Sequence, residues 1–131
     1  MGKKAILCVD DEVIILLALV QELKRAFGSQ YIYEQATDAQ SALKIVEDLA
    51  ADDIQVIFII SDWLMPGMKG DEFLAVVKER YPVIKAILIT GQADQSAIER
   101  VMKIDSILAV FNKPWNPAML VQTIAKNAVK E

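Results

Sequence analysis

Five short apolar runs alternate with five helical patterns along the chain, and this alternation limits the fold more than any other feature. Ala5-Ile6-Leu7-Cys8-Val9 is continuously apolar and stops at Asp10-Asp11-Glu12, as a strand buried on both faces does. Val13 to Phe27 is helical in composition, and Gly28 suits the position just past a helix end. Tyr31 to Ala36 is aromatic-rich and reads as a weaker strand near an edge. Asp38 suits the N-cap of a helix reaching about Ala51. Gln55 to Ser61 is a strand ending at Asp62, and Asp71 to Tyr81 a helix stopped by Pro82. Lys85 to Ile89 is a fourth strand ending at Thr90-Gly91, followed by a helix over Asp94 to Lys103. Ile107 to Phe111 is a fifth strand ending before Lys113-Pro114. Asn116 caps a last helix that has Pro117 in its first turn and runs to about Lys130.

Such βα repetition argues for an α/β fold, a doubly wound five-stranded parallel sheet with helices on both faces and right-handed crossovers. The 131 residues suffice for a single domain, read as spanning 1–131, with Met1-Gly2 compatible with a cloning remnant. The longest unbroken apolar run, Val13 to Val20, is too short to cross a bilayer, and no secretory leader is legible, so a cytoplasmic chain is expected. A net charge of −4 argues against direct nucleic-acid binding by this domain. One cysteine, Cys8, excludes an internal disulfide and reads as a small core residue. The chain has no histidine, so Ser-His-Asp catalysis, common zinc sites and a phosphohistidine donor role are all excluded. Carboxylates, hydroxyls, lysines and a metal are left to carry any chemistry.

Ligands of open parallel sheets bind outside the carboxyl ends of the strands. The side chains at those ends are Asp10-Asp11, Asp62, Thr90 and Lys113. Clustered carboxylates repel by roughly 4 kcal/mol per pair at 4 Å and an effective dielectric near 20. One lysine neutralises only part of that, and a hard divalent cation suits an all-oxygen set, Mg²⁺ better than Ca²⁺ in a small hydrated site. One carboxylate is then available as a nucleophile that forms an acyl phosphate.

Val9-Asp10-Asp11-Glu12, Ser61-Asp62-Trp63-Leu64-Met65-Pro66-Gly67-Met68-Lys69-Gly70, Ile89-Thr90-Gly91 and Asn112-Lys113-Pro114, in that order, resemble the receiver domain of bacterial two-component response regulators. The resemblance covers essentially the whole chain and implies the flavodoxin-like strand order 2-1-3-4-5. It implies Asp62 as phosphoacceptor, Asp11 as a direct Mg²⁺ ligand, Asp10 as an acid acting largely through water, and the Leu64 backbone carbonyl as a further ligand. It implies Thr90 as the switch hydroxyl, Lys113 as the phosphate-binding lysine and a cis Lys113-Pro114 bond. The implied partners are a sensor histidine kinase or histidine phosphotransfer protein as donor, and an output domain or protein as receiver of the signal. The resemblance further implies a regulator that modifies only itself, not an enzyme acting on other substrates.

Three features depart from the commonest pattern or go beyond it. Receivers often carry Tyr or Phe where this chain has Val110, and Phe111 should point to the opposite sheet face. Leu64 cannot hydrogen-bond an attacking water, which predicts a long-lived acyl phosphate. The first helix shows two apolar stripes, one through Ile15 or Leu16, Leu19, Leu23 and Phe27, the other through Val13, Leu17 and Val20. The second stripe is either covered by neighbouring elements or forms a partner or homodimer surface. Gly70 reads as a turn residue, and Trp63, Met65 and Met68 as packing and lid residues. Two other functions stay open. A metal-dependent aspartyl phosphatase is disfavoured because it needs a second acid where Leu64 stands. A receiver-like binding module with weak or vestigial phospho-switching gains some weight from Val110.

Overall fold

The acid-terminated run at the N-terminus becomes the second strand of the sheet, buried on both faces. The computed structural model describes residues 2–91, 95–104 and 106–128. Their strands are β1 (Lys3–Val9), β2 (Ile32–Ala36), β3 (Ile54–Asp62), β4 (Lys85–Thr90) and β5 (Ile107–Asn112), and their helices α1 (Val13–Phe27), α2 (Ala39–Ala51), α3 (Gly70–Arg80), α4 (Gln95–Met102) and α5 (Pro117–Asn127). All strand pairs are parallel, in the order β2-β1-β3-β4-β5. The fold is the flavodoxin-like arrangement expected, with β2 at one edge.

Strand alternation divides the core in two. Ala5, Leu7 and Val9 of β1 join Ala42 and Val46 of α2, Phe73 and Val77 of α3 and Val101 of α4. Ile6 and Cys8 join Leu16, Leu19 and Leu23 of α1 and Leu120 and Ile124 of α5. Asp38 caps α2 by accepting from Ser41 N at 2.7 Å, and Asn116 caps α5 by accepting from Met119 N at 3.2 Å. Gly28, at φ 55°, ends α1 in a conformation that disfavours a side chain.

Most element ends differ from expectation by a residue, as frayed ends do, but β1 begins two residues earlier, at Lys3, and the last helix stops at Asn127, with Ala128 already extended, short of the expected Lys130. Asp94 and Lys130, expected near the ends of the last two helices, lie outside the described residues. Two readings need correction. Val20 belongs to the buried stripe of α1 with Leu16, Leu19 and Leu23, while Val13 and Leu17 stay 56% and 55% exposed and Ile14 79%. Of the second apolar stripe, Val13 and Leu17 are therefore left uncovered by the described residues. Gly70 is not a turn residue: it is the buried first residue of α3, packed on the backbone of Asp62.

Candidate functional site

Sheet register assembles the site. Val9 of β1 pairs with Ser61 of β3, so the next residues, Asp10 and Asp62, leave neighbouring strands side by side. Asp62 pairs with Ile89 of β4, and Thr90 pairs with Asn112 of β5, which puts Lys113 one step beyond that edge. The Lys113 amide donates to the Thr90 carbonyl at 2.8 Å, and the Trp63 amide donates to the Ile89 carbonyl at 3.0 Å, so both loops leave the sheet in fixed directions. Gly70 N donates to the Trp63 carbonyl at 2.7 Å, docking the start of α3 on the residue after Asp62.

Asp10, Asp11 and Asp62 bring carboxylate oxygens within 4.8 Å of one another, the metal-compatible group found among the described residues. Asp10 and Asp62 are buried and Asp11 is exposed. Lys113 Nζ lies 2.9 Å from Asp10 Oδ2 and 3.2 Å from Asp62 Oδ1. Glu12 is more distant, at 3.9 Å, and well exposed. Its amide donates to Asp10 Oδ1 at 2.8 Å, so both Asp10 oxygens are engaged. A cleft of about 300 Å³ is lined by Asp11, Glu12, Asp62, Leu64, Gly91 and Lys113. Thr90 is fully buried at the end of β4, and Gly91 after it borders the cleft, where a Cβ would meet nothing within 4 Å.

Burial pushes the Asp62 carboxyl above its ordinary value, and the neighbouring Asp10 charge pushes the same way, while Lys113 and the Trp63 amide offset this only in part. Burial works against the Lys113 charge, but its contacts with Asp10 and Asp62 outweigh it and hold the ammonium above its usual range. Three carboxylates and one ammonium leave a net charge of about −2, which matches a single divalent ion. The donor set is all oxygen, is open to solvent on the Asp11 side, and fits a partly hydrated Mg²⁺.

Each residue expected at the site thus lies on this one sheet edge: Asp10, Asp11, Asp62, Leu64 and Lys113 around the cleft, Thr90 beside it. The Lys113-Pro114 bond is cis. Trp63 and Met65 are core residues. Val110 packs on the α2–α4 side of the sheet and Phe111 on the α1–α5 side, as strand parity requires.

Residues 6–125 match the sequence profile of the response regulator receiver domain. The chain belongs to that family. Relatives of this receiver domain include the sensor kinase CckA of Brucella abortus, 28% identical over 99% of this chain but 13% of its own length. The hydrogenase transcriptional regulatory protein HoxA of Cupriavidus necator is 32% identical over 91% of this chain and 23% of its own length. The chain therefore spans under a quarter of these two relatives. A signal receiver domain of an HD domain-containing protein from Pseudomonas fluorescens superposes with a TM-score of 0.80 at 30% identity, covering 96% of this chain and 94% of that one. A CheY-like receiver domain protein from Methanospirillum hungatei gives 0.79 at 28% identity, covering 96% and 93%. Among the described residues, no helix is long and apolar enough to cross a membrane.

Glu12 was missed as a wall of the cleft, although Asp-x-x with the third amide returning to the first side chain is a turn signal legible in Asp10-Asp11-Glu12. Glu22 was also missed. Its side chain accepts from Trp115 Nε1 at 2.8 Å, across 93 residues of sequence, and local pattern carries no trace of that pairing.

Proposed function

We propose that this receiver domain is a cytoplasmic signalling switch that takes a phosphoryl group onto Asp62 in a Mg²⁺-dependent reaction. The observation that carries the reading is Lys113 Nζ held between Asp10 and Asp62 at 2.9 and 3.2 Å beside the three-carboxylate group. Asp10, Asp11, Asp62 and the Leu64 backbone carbonyl would hold the ion. When bound, the ion neutralises the cluster and orients a phosphoryl oxygen. An Asp62 carboxylate oxygen attacks phosphorus, the P–N bond to the donor imidazole breaks, and its electron pair stays on the leaving imidazole. Lys113 turns from Asp62 to an incoming phosphoryl oxygen by a short charge-assisted contact, and Asp10 keeps it in place. Thr90, at the end of β4, supplies a hydroxyl to another phosphoryl oxygen and links occupancy to the α4–β5–α5 surface.

The donor is a phosphohistidine on a sensor kinase or phosphotransfer protein, and the output is an attached domain or a separate protein. The larger size of relatives named as a kinase and a transcriptional regulator supports service as a module of that kind. A binding module with weak phospho-switching is the second reading, favoured by Val110, which places a small side chain where receivers often have an aromatic ring.

Trp63, next to Asp62, reports the test. Its fluorescence should change on adding Mg²⁺ and again on adding beryllofluoride, with the second step lost in Asp62→Asn. A wild-type chain that binds Mg²⁺ but ignores beryllofluoride and acetyl phosphate would overturn phosphoacceptance and leave the binding-module reading.

A further inference from the structure

Lys113 borders two cavities at once. Its ammonium closes the acidic cleft, and the residue also lines a groove of about 400 Å³ formed with Ile15, Ala18, Glu22, Pro114 and Trp115. A lysine has four rotatable bonds, and its ammonium stays at one spot only if the backbone and stem are held. The backbone is held on one side, where the Lys113 amide donates to the Thr90 carbonyl. Two residues later, Trp115 packs on the α1–α5 core, and its Nε1–H donates to a Glu22 carboxylate oxygen at 2.8 Å. That is a charge-assisted bond from the loop to α1, the helix that follows the acid pair Asp10-Asp11. The helix after the metal-site acids and the loop bearing the lysine are thereby tied together at one point.

We infer that the Glu22–Trp115 hydrogen bond is a positioning latch for Lys113, setting its ammonium at the distance from Asp62 that a phosphoryl oxygen requires. The inference rests on the phosphoacceptor reading above. Trp115 and Glu22 act through Lys113 and touch no reacting atom. The ordinary alternative is a half-buried tryptophan satisfying its indole N–H. The two differ in which ligand they affect. Mg²⁺ is held by carboxylates and a backbone carbonyl, whereas a phosphoryl group also needs the lysine. Loss of the latch therefore weakens phosphoryl binding selectively.

The test uses the whole chain and leaves Trp63 as the fluorescence reporter. Trp115→Phe keeps the packing and removes the donor; Glu22→Ala removes the acceptor; Glu22→Gln keeps an acceptor oxygen. Mg²⁺ is titrated first, then beryllofluoride at saturating Mg²⁺. Trp115→Phe and Glu22→Ala should bind beryllofluoride about tenfold more weakly, near the value of one hydrogen bond. Their Mg²⁺ affinity should not fall, and Glu22→Gln should restore beryllofluoride binding to within about twofold of wild type, as a retained bond would. Wild-type affinity for beryllofluoride in both weakened variants, or an equal loss of Mg²⁺ affinity, would overturn the latch. Wild-type chain that fails to bind beryllofluoride would instead overturn the phosphoacceptor reading.

Discussion

Gly70 sits directly against the backbone of Asp62. A Cβ on Gly70 would overlap the Asp62 carbonyl oxygen and lie 2.9 Å from Trp63 Cα, with only backbone to give way. Closeness here lets the Gly70 amide reach the Trp63 carbonyl and docks α3 behind the acceptor. Gly70→Ala should therefore cost about 1–3 kcal/mol of stability, the usual range for overpacking. Because the strain falls on the Asp62 backbone, it should also weaken beryllofluoride binding. Urea unfolding, with Gly91→Ala as the open-position comparison for stability, checks the first effect, and beryllofluoride titration at saturating Mg²⁺ checks the second.

Lys113→Met separates the two roles of the lysine. Without the ammonium, Mg²⁺ no longer competes with a fixed positive charge, and it should bind several-fold more tightly, on the order of 1 kcal/mol. Beryllofluoride should bind more weakly, because one fluorine loses the ammonium as its partner. Metal-free stability should fall by roughly 2–3 kcal/mol, less than for a fully buried pair because the ammonium is partly exposed. Mg²⁺ should restore most of it. Calorimetric titration and thermal melts read all three changes, and weaker Mg²⁺ binding would contradict the electrostatic account.

Asp62→Asn should stabilise the metal-free chain at neutral pH. The folded carboxyl titrates above its ordinary value of 3.8, through burial first and the Asp10 charge second. The fold thus binds that proton more tightly than the unfolded chain does. This contribution is present below pH 3.8 and is lost as pH rises through the folded value. Asparagine never ionises, so its advantage over wild type should grow from pH 4 toward neutrality and shrink when Mg²⁺ is added. A constant difference across that range would show that Asp62 ionisation is not the source.

The sheet and the gathering of polar side chains at one of its edges were legible for one physical reason. Strands buried on both faces are continuously apolar, so the polar residues at their ends stand out, and a parallel sheet gathers those ends on one edge. Asp10, Asp62, Thr90 and Lys113 were readable from position alone. The rest depended on tertiary neighbours. Val20 shares helical spacing with Val13 and Leu17, yet it lies buried while they do not, because what faces each turn of α1 is decided by distant chain. Gly70 looked like a turn residue because a close backbone approach and a turn call for the same amino acid. Trp115 and Glu22 needed the fold before their pairing existed at all.

Cys8 makes an alkaline prediction. It is fully buried, and desolvation lifts its thiol from 9.0 to about 12. Tyr31 and Tyr33 are raised too, burial again being the main cause. Stability from these groups is complete below the unfolded values and is lost as pH rises through the folded ones. The thiol alone should lower the unfolding free energy by up to about 1.4 kcal/mol per pH unit above pH 9. Native chain should resist iodoacetamide at pH 8 and react once unfolded in urea. Denaturant melts of Cys8→Ala should flatten the alkaline slope, and an unchanged slope would remove Cys8 as its cause.

Leu64 should set the lifetime of the acyl phosphate. The side chain is 48% exposed on the cleft wall, two residues past Asp62, and it has no group to orient a water for attack on phosphorus. Its proposed contribution to the ion is a backbone carbonyl, which a side-chain substitution leaves in place. Leu64→Asn adds an amide that can hydrogen-bond the attacking water, and it should shorten the lifetime by about tenfold, a modest return for orienting one reactant. Leu64→Met, apolar and of similar volume, should leave the lifetime unchanged. Chain phosphorylated by acetyl phosphate, freed of donor and followed by intact mass in the presence of Mg²⁺, gives the rates. If asparagine and methionine decay alike, hydrolysis is governed by access to the cleft and not by the residue at this position.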